Sequence, residues 1–191
     1  MKTIGVLGLQ GGVAEHLTML NEIDNINAIK VNYLSELDKI DGLIIPGGES
    51  TTLGKLLRSF NMLEPLKQMI KQGLPTWGTC AGMILLSKNI EGESKCYLGT
   101  MDISVKRNAY GRQLGSFQVE RDIDKMKIER FPLIFIRAPY VIGTGKDVDI
   151  ILKEQNEIVA CRQANMLATS FHPELTNDKR VHEYFIKELV N

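Results

Sequence analysis

The sequence predicts an α/β fold, a three-layer sandwich in which helices flank a mostly parallel central sheet, with an additional antiparallel strand region in the second half. Three observations lead there. In the first half, short apolar runs alternate with amphipathic stretches, the rhythm of parallel strands joined by covering helices. Glycine-bearing turns follow three of those runs, at Gln10-Gly11-Gly12, Pro46-Gly47-Gly48 and Gly78-Thr79-Cys80-Ala81-Gly82. Past Met101 the helical period gives way to strand-like segments separated by turns.

Residues 3–9 read as the first strand, and residues 13–22 as a helix. Residues 28–32 read as a strand, and 42–45 as a strand buried on both faces because it is apolar throughout. Helices follow over 49–60 and 62–72, Pro65 suiting the first turn of the second. Residues 74–78 form the strand that feeds Cys80, and 83–86 belong to the helix after it. The second half contributes strands over 101–106, 116–121, 133–137, 148–153, 157–162 and 166–171, with Gly143-Thr144-Gly145 as a turn, and a closing helix over 177–190. There is no internal repeat, low-complexity tract or linker, so residues 1–191 are expected to form a single domain.

Composition narrows the function. Lys plus Arg equals Asp plus Glu at 23 each, so no strong field draws the chain to nucleic acid or to an anionic membrane, and neither partner is expected. The three cysteines, Cys80, Cys96 and Cys161, are an odd number without metal-ligand spacing. That usage suits free thiols in a reducing, cytoplasmic setting. The apolar run after Lys2 is short and broken by Gly5 and Gly8, a poor signal peptide and a good strand. No run has the length of a membrane span.

The chemistry concentrates at Cys80. A thiol between Gly78 and Gly82, where a strand gives way to a helix, is a nucleophile elbow with cysteine in place of serine. Amides at the start of the following helix favour negative charge, first on a thiolate and then on an oxyanion. Free cysteine titrates near ~8.5, so the nucleophile needs a base. Ser170-Phe171-His172-Pro173-Glu174 supplies one, and Glu174 lies two residues on, able to reach back along extended backbone and hold the imidazole. A second oxyanion donor is expected from the Gly47-Gly48 turn, with the Ala81 N–H as the first. Neither Gly-Gly turn matches Gly-x-Gly-x-x-Gly and no Gly-Lys-Ser/Thr is present, which argues against nucleotide binding. His16 and His182 lie in helical stretches and read as surface or packing residues away from the motifs, and Cys96 and Cys161 as structural.

The elbow with His172-Pro173-Glu174 resembles the class I glutamine amidotransferases, whose glutaminase domains use a Cys-His-Glu triad. Four further blocks, Gly8-Leu9-Gln10-Gly11-Gly12, Pro46-Gly47-Gly48-Glu49-Ser50-Thr51-Thr52, Arg107-Asn108-x-Tyr110-Gly111-Arg112-Gln113 and Ile136-Arg137-Ala138-Pro139, are similar to the glutaminase subunits of pyridoxal 5′-phosphate synthases. That resemblance implies hydrolysis of L-glutamine to glutamate and ammonia, with the ammonia passed to a pyridoxal 5′-phosphate synthase subunit in a hetero-oligomer. It implies no metal and no cofactor for this chain. The catalytic residues would be Cys80, His172 and Glu174, and the oxyanion hole Gly47, Gly48 and Ala81. Arg107 and Arg137 would bind the substrate carboxylate, Ile136 would add backbone contacts, and Glu49 would accept from the ammonium, with Gly48 and Ser50 beside it. Gln10 would sit in a turn that rearranges on activation. Two alternatives stay open: a stand-alone cysteine hydrolase or peptidase, and a non-catalytic interaction subunit on the same fold.

Overall fold

The computed structural model describes residues 1–108 and 115–190. In chain order the first half runs β1 (Lys2–Leu7), α1 (Val13–Asn21), β2 (Ile26–Val31), α2 (Leu34–Leu37), β3 (Gly42–Ile45), α3 (Ser50–Ser59), α4 (Leu63–Lys71), β4 (Thr76–Thr79) and α5 (Ala81–Leu86). The second half adds β5 (Ser87–Ile90), β6 (Met101–Lys106), β7 (Ser116–Ile123), β8 (Ile128–Ile136), β9 (Tyr140–Thr144), β10 (Asp149–Glu154), β11 (Glu157–Gln163), β12 (Met166–Thr169) and α6 (Arg180–Phe185).

The main sheet has the order β2-β1-β3-β4-β12-β11-β9-β6-β5, with β10 paired to β11. Its first five strands are parallel to their neighbours. Beyond β12 the pairings of β11 with β12, β10 and β9, and of β9 with β6, are antiparallel. A separate antiparallel pair, β7 with β8, completes the expected architecture. Arg121 of β7 reaches across to β10, its guanidinium forming two hydrogen bonds of 2.6 and 2.8 Å to the carboxylate of buried Glu154.

Strand periodicity divides the core. In β3, Leu43 and Ile45 join Leu53, Leu57, Leu66 and Ile70 of α3 and α4 in one cluster. Ile44 points the other way, into a second cluster with Ile4, Leu20, Trp77, Val181 and Phe185 beneath α1 and α6. Each such side chain contributes roughly 1.5–3 kcal/mol by leaving water, so the five-strand parallel region is the anchor of the molecule. Among the described residues, no helix is long and apolar enough to cross a membrane.

Several boundaries differ from expectation. Gly143 and Thr144 are not a turn: both lie in β9, paired with Ser104 and Ile103, and the chain bends at Gly145, whose N–H donates to the Asp102 carbonyl. β5 and the four-residue α2 were not expected. Arg137 falls outside β8, and Ser170 and Phe171 outside β12. The closing helix begins only at Arg180, and its last turn, Ile186–Val190, is widened to π geometry.

Candidate active site

Cys80 is placed by β4, which is buried along its whole length between β3 and β12. At the end of the strand the chain turns sharply, and Cys80 adopts φ 50° and ψ −102° before α5 starts at Ala81. A side chain other than glycine is strained there, and the position is held by the Cys80 N–H donating to the Thr169 carbonyl at 2.8 Å. The flanking glycines are required by contact. A methyl on Gly78 would come within 2.6 Å of the Gly82 carbonyl oxygen, and one on Gly82 within 3.1 Å of the Ile45 carbonyl carbon. The elbow expected from the sequence is present, with Cys80 Sγ 4.0 Å from the Ile136 carbonyl oxygen.

The partner of that thiol arrives on the neighbouring strand. β12 runs parallel to β4 with Ala168 level with Gly78 and Thr169 level with Thr79. Three residues later His172 is pinned by its N–H donating to Ile134 O at 2.8 Å. Its Nδ1 lies 2.7 Å from Glu174 Oε1. The link between them is a 3-10 turn, Pro173–Leu175, rather than the extended segment expected, yet it delivers the carboxylate to the same ring nitrogen. Burial pushes the His172 imidazole down, but hydrogen bonds to Cys80 and Glu174 and the charges of both outweigh it, raising its pKa from 6.5 to about 10. At neutral pH the ring therefore holds a proton between the sulfur and the carboxylate.

These groups open into a cavity of about 550 Å³ whose wall includes Gln10, Gly47, Gly48, Glu49, Ser50, Cys80, Arg107, Ile136, Arg137, His172 and Glu174. Thus every expected site residue lines it except Ala81, which is buried directly behind Cys80 at the head of α5. A cleft of about 600 Å³ elsewhere, walled by residues such as Lys125, Arg162, Tyr184 and Lys187, has no cysteine, serine, threonine or histidine among the residues that line it.

The two Gly-Gly turns pack backbone on backbone. Gly12 N–H donates to Gly47 O at 3.0 Å, and Gly11, at φ 104°, would drive any side chain into that carbonyl. The Gln10 side chain accepts from Glu49 N–H at 2.9 Å, tying the first turn to the second. Glu49 itself caps α3, accepting from the N–H of Thr51 at 2.9 Å and of Thr52 at 2.7 Å. Oε2 also accepts from the Thr52 hydroxyl at 2.8 Å, so it is Oε1 that keeps a further lone pair for a ligand cation. Arg107 donates to Tyr97 and Thr51 and pairs with Glu93 at 2.9 Å, while its buried Nε has no partner among the described residues. Arg137 is exposed, with its own N–H bound to Gly115 O at 2.6 Å. Tyr110, Gly111, Arg112 and Gln113 of the third block lie outside the described residues.

His16 and His182 depart from expectation. Both are fully buried as packing residues, but they are not remote: His16 Nε2 stands 3.5 Å from Glu174 Oε2. No local spacing could signal this, since the two histidines are 166 positions apart.

Known proteins resemble this chain over nearly its whole length. A protein of Ruminiclostridium cellulolyticum called pyridoxal 5′-phosphate synthase subunit PdxT is 55% identical over 97% of this chain and 98% of its own. One of the same name from Clostridium botulinum is 53% identical over 100% of this chain and 98% of its own. A crystal structure described as glutamine amidotransferase superposes with a TM-score of 0.91 at 40% identity, covering 98% of both chains. Residues 6–191 match the SNO glutamine amidotransferase family, and the chain belongs to that family.

Proposed function

We propose that the chain is a single glutaminase domain that hydrolyses L-glutamine to L-glutamate and hands the ammonia to a synthase subunit making pyridoxal 5′-phosphate, in the cytoplasm. The observation that carries this reading is the convergence of Cys80, His172 and Glu174 on one cavity, with His172 Nδ1 2.7 Å from the Glu174 carboxylate. The Cys80 sulfur attacks the side-chain amide carbon, and the carbonyl electrons move to oxygen. That oxyanion meets the Ala81 N–H and the Gly47-Gly48 turn, each donor being worth about 3 kcal/mol. The carbon–nitrogen bond then breaks as His172 gives its proton to the leaving nitrogen, releasing ammonia and a glutamyl thioester. Water attacks the thioester, His172 takes its proton, and glutamate leaves. Glu174 keeps the ring oriented throughout.

Arg107 and Arg137 suit the substrate carboxylate, because a guanidinium offers a planar pair of donors. Arg107 lines the cavity with its guanidinium held in place by Thr51, Tyr97 and Glu93. Glu49 suits the ammonium, with Gly48, Ser50 and Ile136 lining the same cavity. Gln10, bound to the Glu49 amide, couples the first turn to the second and so to activation.

The test mixes the full chain with the synthase subunit and follows glutamate release and product formation. The expected result is that Cys80→Ala abolishes glutamine-dependent synthesis while synthesis from added ammonia survives. Persistent glutamine-dependent synthesis in that variant would refute the mechanism, and equal hydrolysis of peptides or esters without the partner would favour a stand-alone hydrolase.

A further inference from the structure

Behind Glu174 lies a polar cluster that the reaction above leaves unused. His16 on α1 and His182 on α6 are both fully buried, with His16 Nδ1 2.9 Å from His182 Nε2. His16 Nε2 faces two oxygens, Thr79 Oγ1 at 3.3 Å and Glu174 Oε2 at 3.5 Å. The edge of Trp77 closes over both rings, with centroids 5.7 and 4.9 Å away. Glu174 Oε2 and His182 Nδ1 are buried without a hydrogen bond of ordinary geometry among the described residues.

Proton placement decides what this cluster does. If His16 carried its hydrogen on Nδ1, a bare Nε2 lone pair would face the carboxylate, and His182 would be left with an orphaned N–H on Nδ1. Both are costly for side chains buried as fully as these. With the hydrogen on Nε2, His16 donates toward Glu174 and Thr79 while accepting from His182 Nε2–H, and only one acceptor lone pair goes unused. A second proton is disfavoured: burial, then His182 and His172, hold His16 well below its ordinary value, and burial takes His182 to about 3. Two apolar side chains would fill the space under Trp77 without burying four ring nitrogens, so packing alone gives no reason for this pair.

We propose that His16, oriented by His182, is a positioning residue of the glutaminase reaction: its Nε2–H engages the outer oxygen of Glu174, so the carboxylate does not swivel and Oε1 stays on His172. This rests on the glutaminase reading above. The triad is thereby a relay of five side chains, running from Cys80 through His172, Glu174 and His16 to His182, with its far end locked by α6.

The experiment measures glutamate release by the full chain with the synthase subunit over a range of glutamine concentrations. His16→Phe keeps a ring and removes the donor. Its kcat should fall about ten- to hundredfold, the effect of losing one charge-assisted hydrogen bond, with KM within about twofold. His16→Gln, whose amide can return an N–H to the same place, should recover most of that loss at a similar melting temperature. Nitrogen-15 spectra of the wild-type imidazoles add a readout needing no variant, with the His16 hydrogen expected on Nε2. An unchanged kcat in a folded His16→Phe protein, a His16→Gln protein no faster than His16→Phe, or an Nδ1–H tautomer in the wild type would each overturn the proposal. A wild-type complex unable to hydrolyse glutamine would instead remove the glutaminase reading, and the tautomer would still decide whether His16 donates to Glu174.

Discussion

Glu174→Gln isolates the charge behind the imidazole while keeping its shape. The Glu174 side chain is 1% exposed, and its Oε1 lies 2.7 Å from His172 Nδ1. Removing one partner of a buried pair commonly costs about 3–5 kcal/mol, because the remaining charge is left uncompensated. A glutamine side chain can still accept a hydrogen bond, so the lower end, about 3 kcal/mol, is the fitting figure. That figure is a cost in stability; in turnover, loss of the charge that keeps the imidazole protonated and oriented should lower kcat roughly a hundredfold, the low end for general acid–base catalysis, with little change in KM because the carboxylate does not bind substrate. The pH profile supplies the sign. His172 must carry a proton for the departing nitrogen, so activity falls as pH rises through the titration of the imidazole. Its pKa of about 10 depends partly on Glu174, and the basic limb should therefore move to lower pH in the variant. Stability follows the same sign. A histidine raised from 6.5 to about 10 on folding stabilises fully below 6.5, and that contribution is lost as pH climbs toward 10, a slope that Glu174→Gln should flatten. Steady-state glutamate release from about pH 6 to about pH 10 follows the rate limb, and denaturant titration over the same range follows the stability slope. A kcat within about twofold of wild type and an unmoved basic limb would refute the assignment of Glu174.

Two further outcomes follow from contacts at the glycine turn and the helix cap. Gly47→Ala places a methyl 3.0 Å from His172 Nδ1 and 3.3 Å from Cys80 Cβ, so kcat should drop at least about tenfold, with a stability loss of roughly 1–3 kcal/mol in denaturant titration; full activity would show that the turn yields freely. For Glu49, burial pushes the carboxyl up, but hydrogen bonds from Thr51 and Thr52 outweigh it and hold the pKa at about 2 rather than 4.5. A depressed carboxylate stabilises above 4.5 and loses that effect as pH falls toward 2, so Glu49→Gln should melt with a shallower acid dependence over that window, and an identical dependence would exclude the cap as its source.

The parallel half of the fold was legible because its strands announce themselves. The residues of β3 are buried without exception, and α3 and α4 show one apolar stripe each, so the apolar run and the helical period both survive in the sequence. β5 was invisible: Ser87-Lys88-Asn89-Ile90 is polar and exposed at its middle, and it is a strand only because β6 pairs with it. β9 was obscured by Gly143 and Thr144, turn-forming residues recruited into a ladder by their partners on β6. At the site, Cys80, His172 and Glu174 could be named because each motif carries local chemistry. Their spacing could not, since it depends on β4 and β12 lying side by side. The cluster of His16, His182 and Trp77 left no trace in sequence, because three separate elements meet there only after folding.

The pairing of β4 with β12 has a mechanical consequence. Cys80 directly follows the last rung of β4 and His172 stands three residues past β12, its N–H bound to Ile134 O, so both hang from the ends of one hydrogen-bonded lattice and their separation inherits much of its stiffness. Slipping either rail by a single residue would turn one of the two reactive groups to the opposite face. Such a framework is poorly suited to being switched by spreading the reactive pair apart.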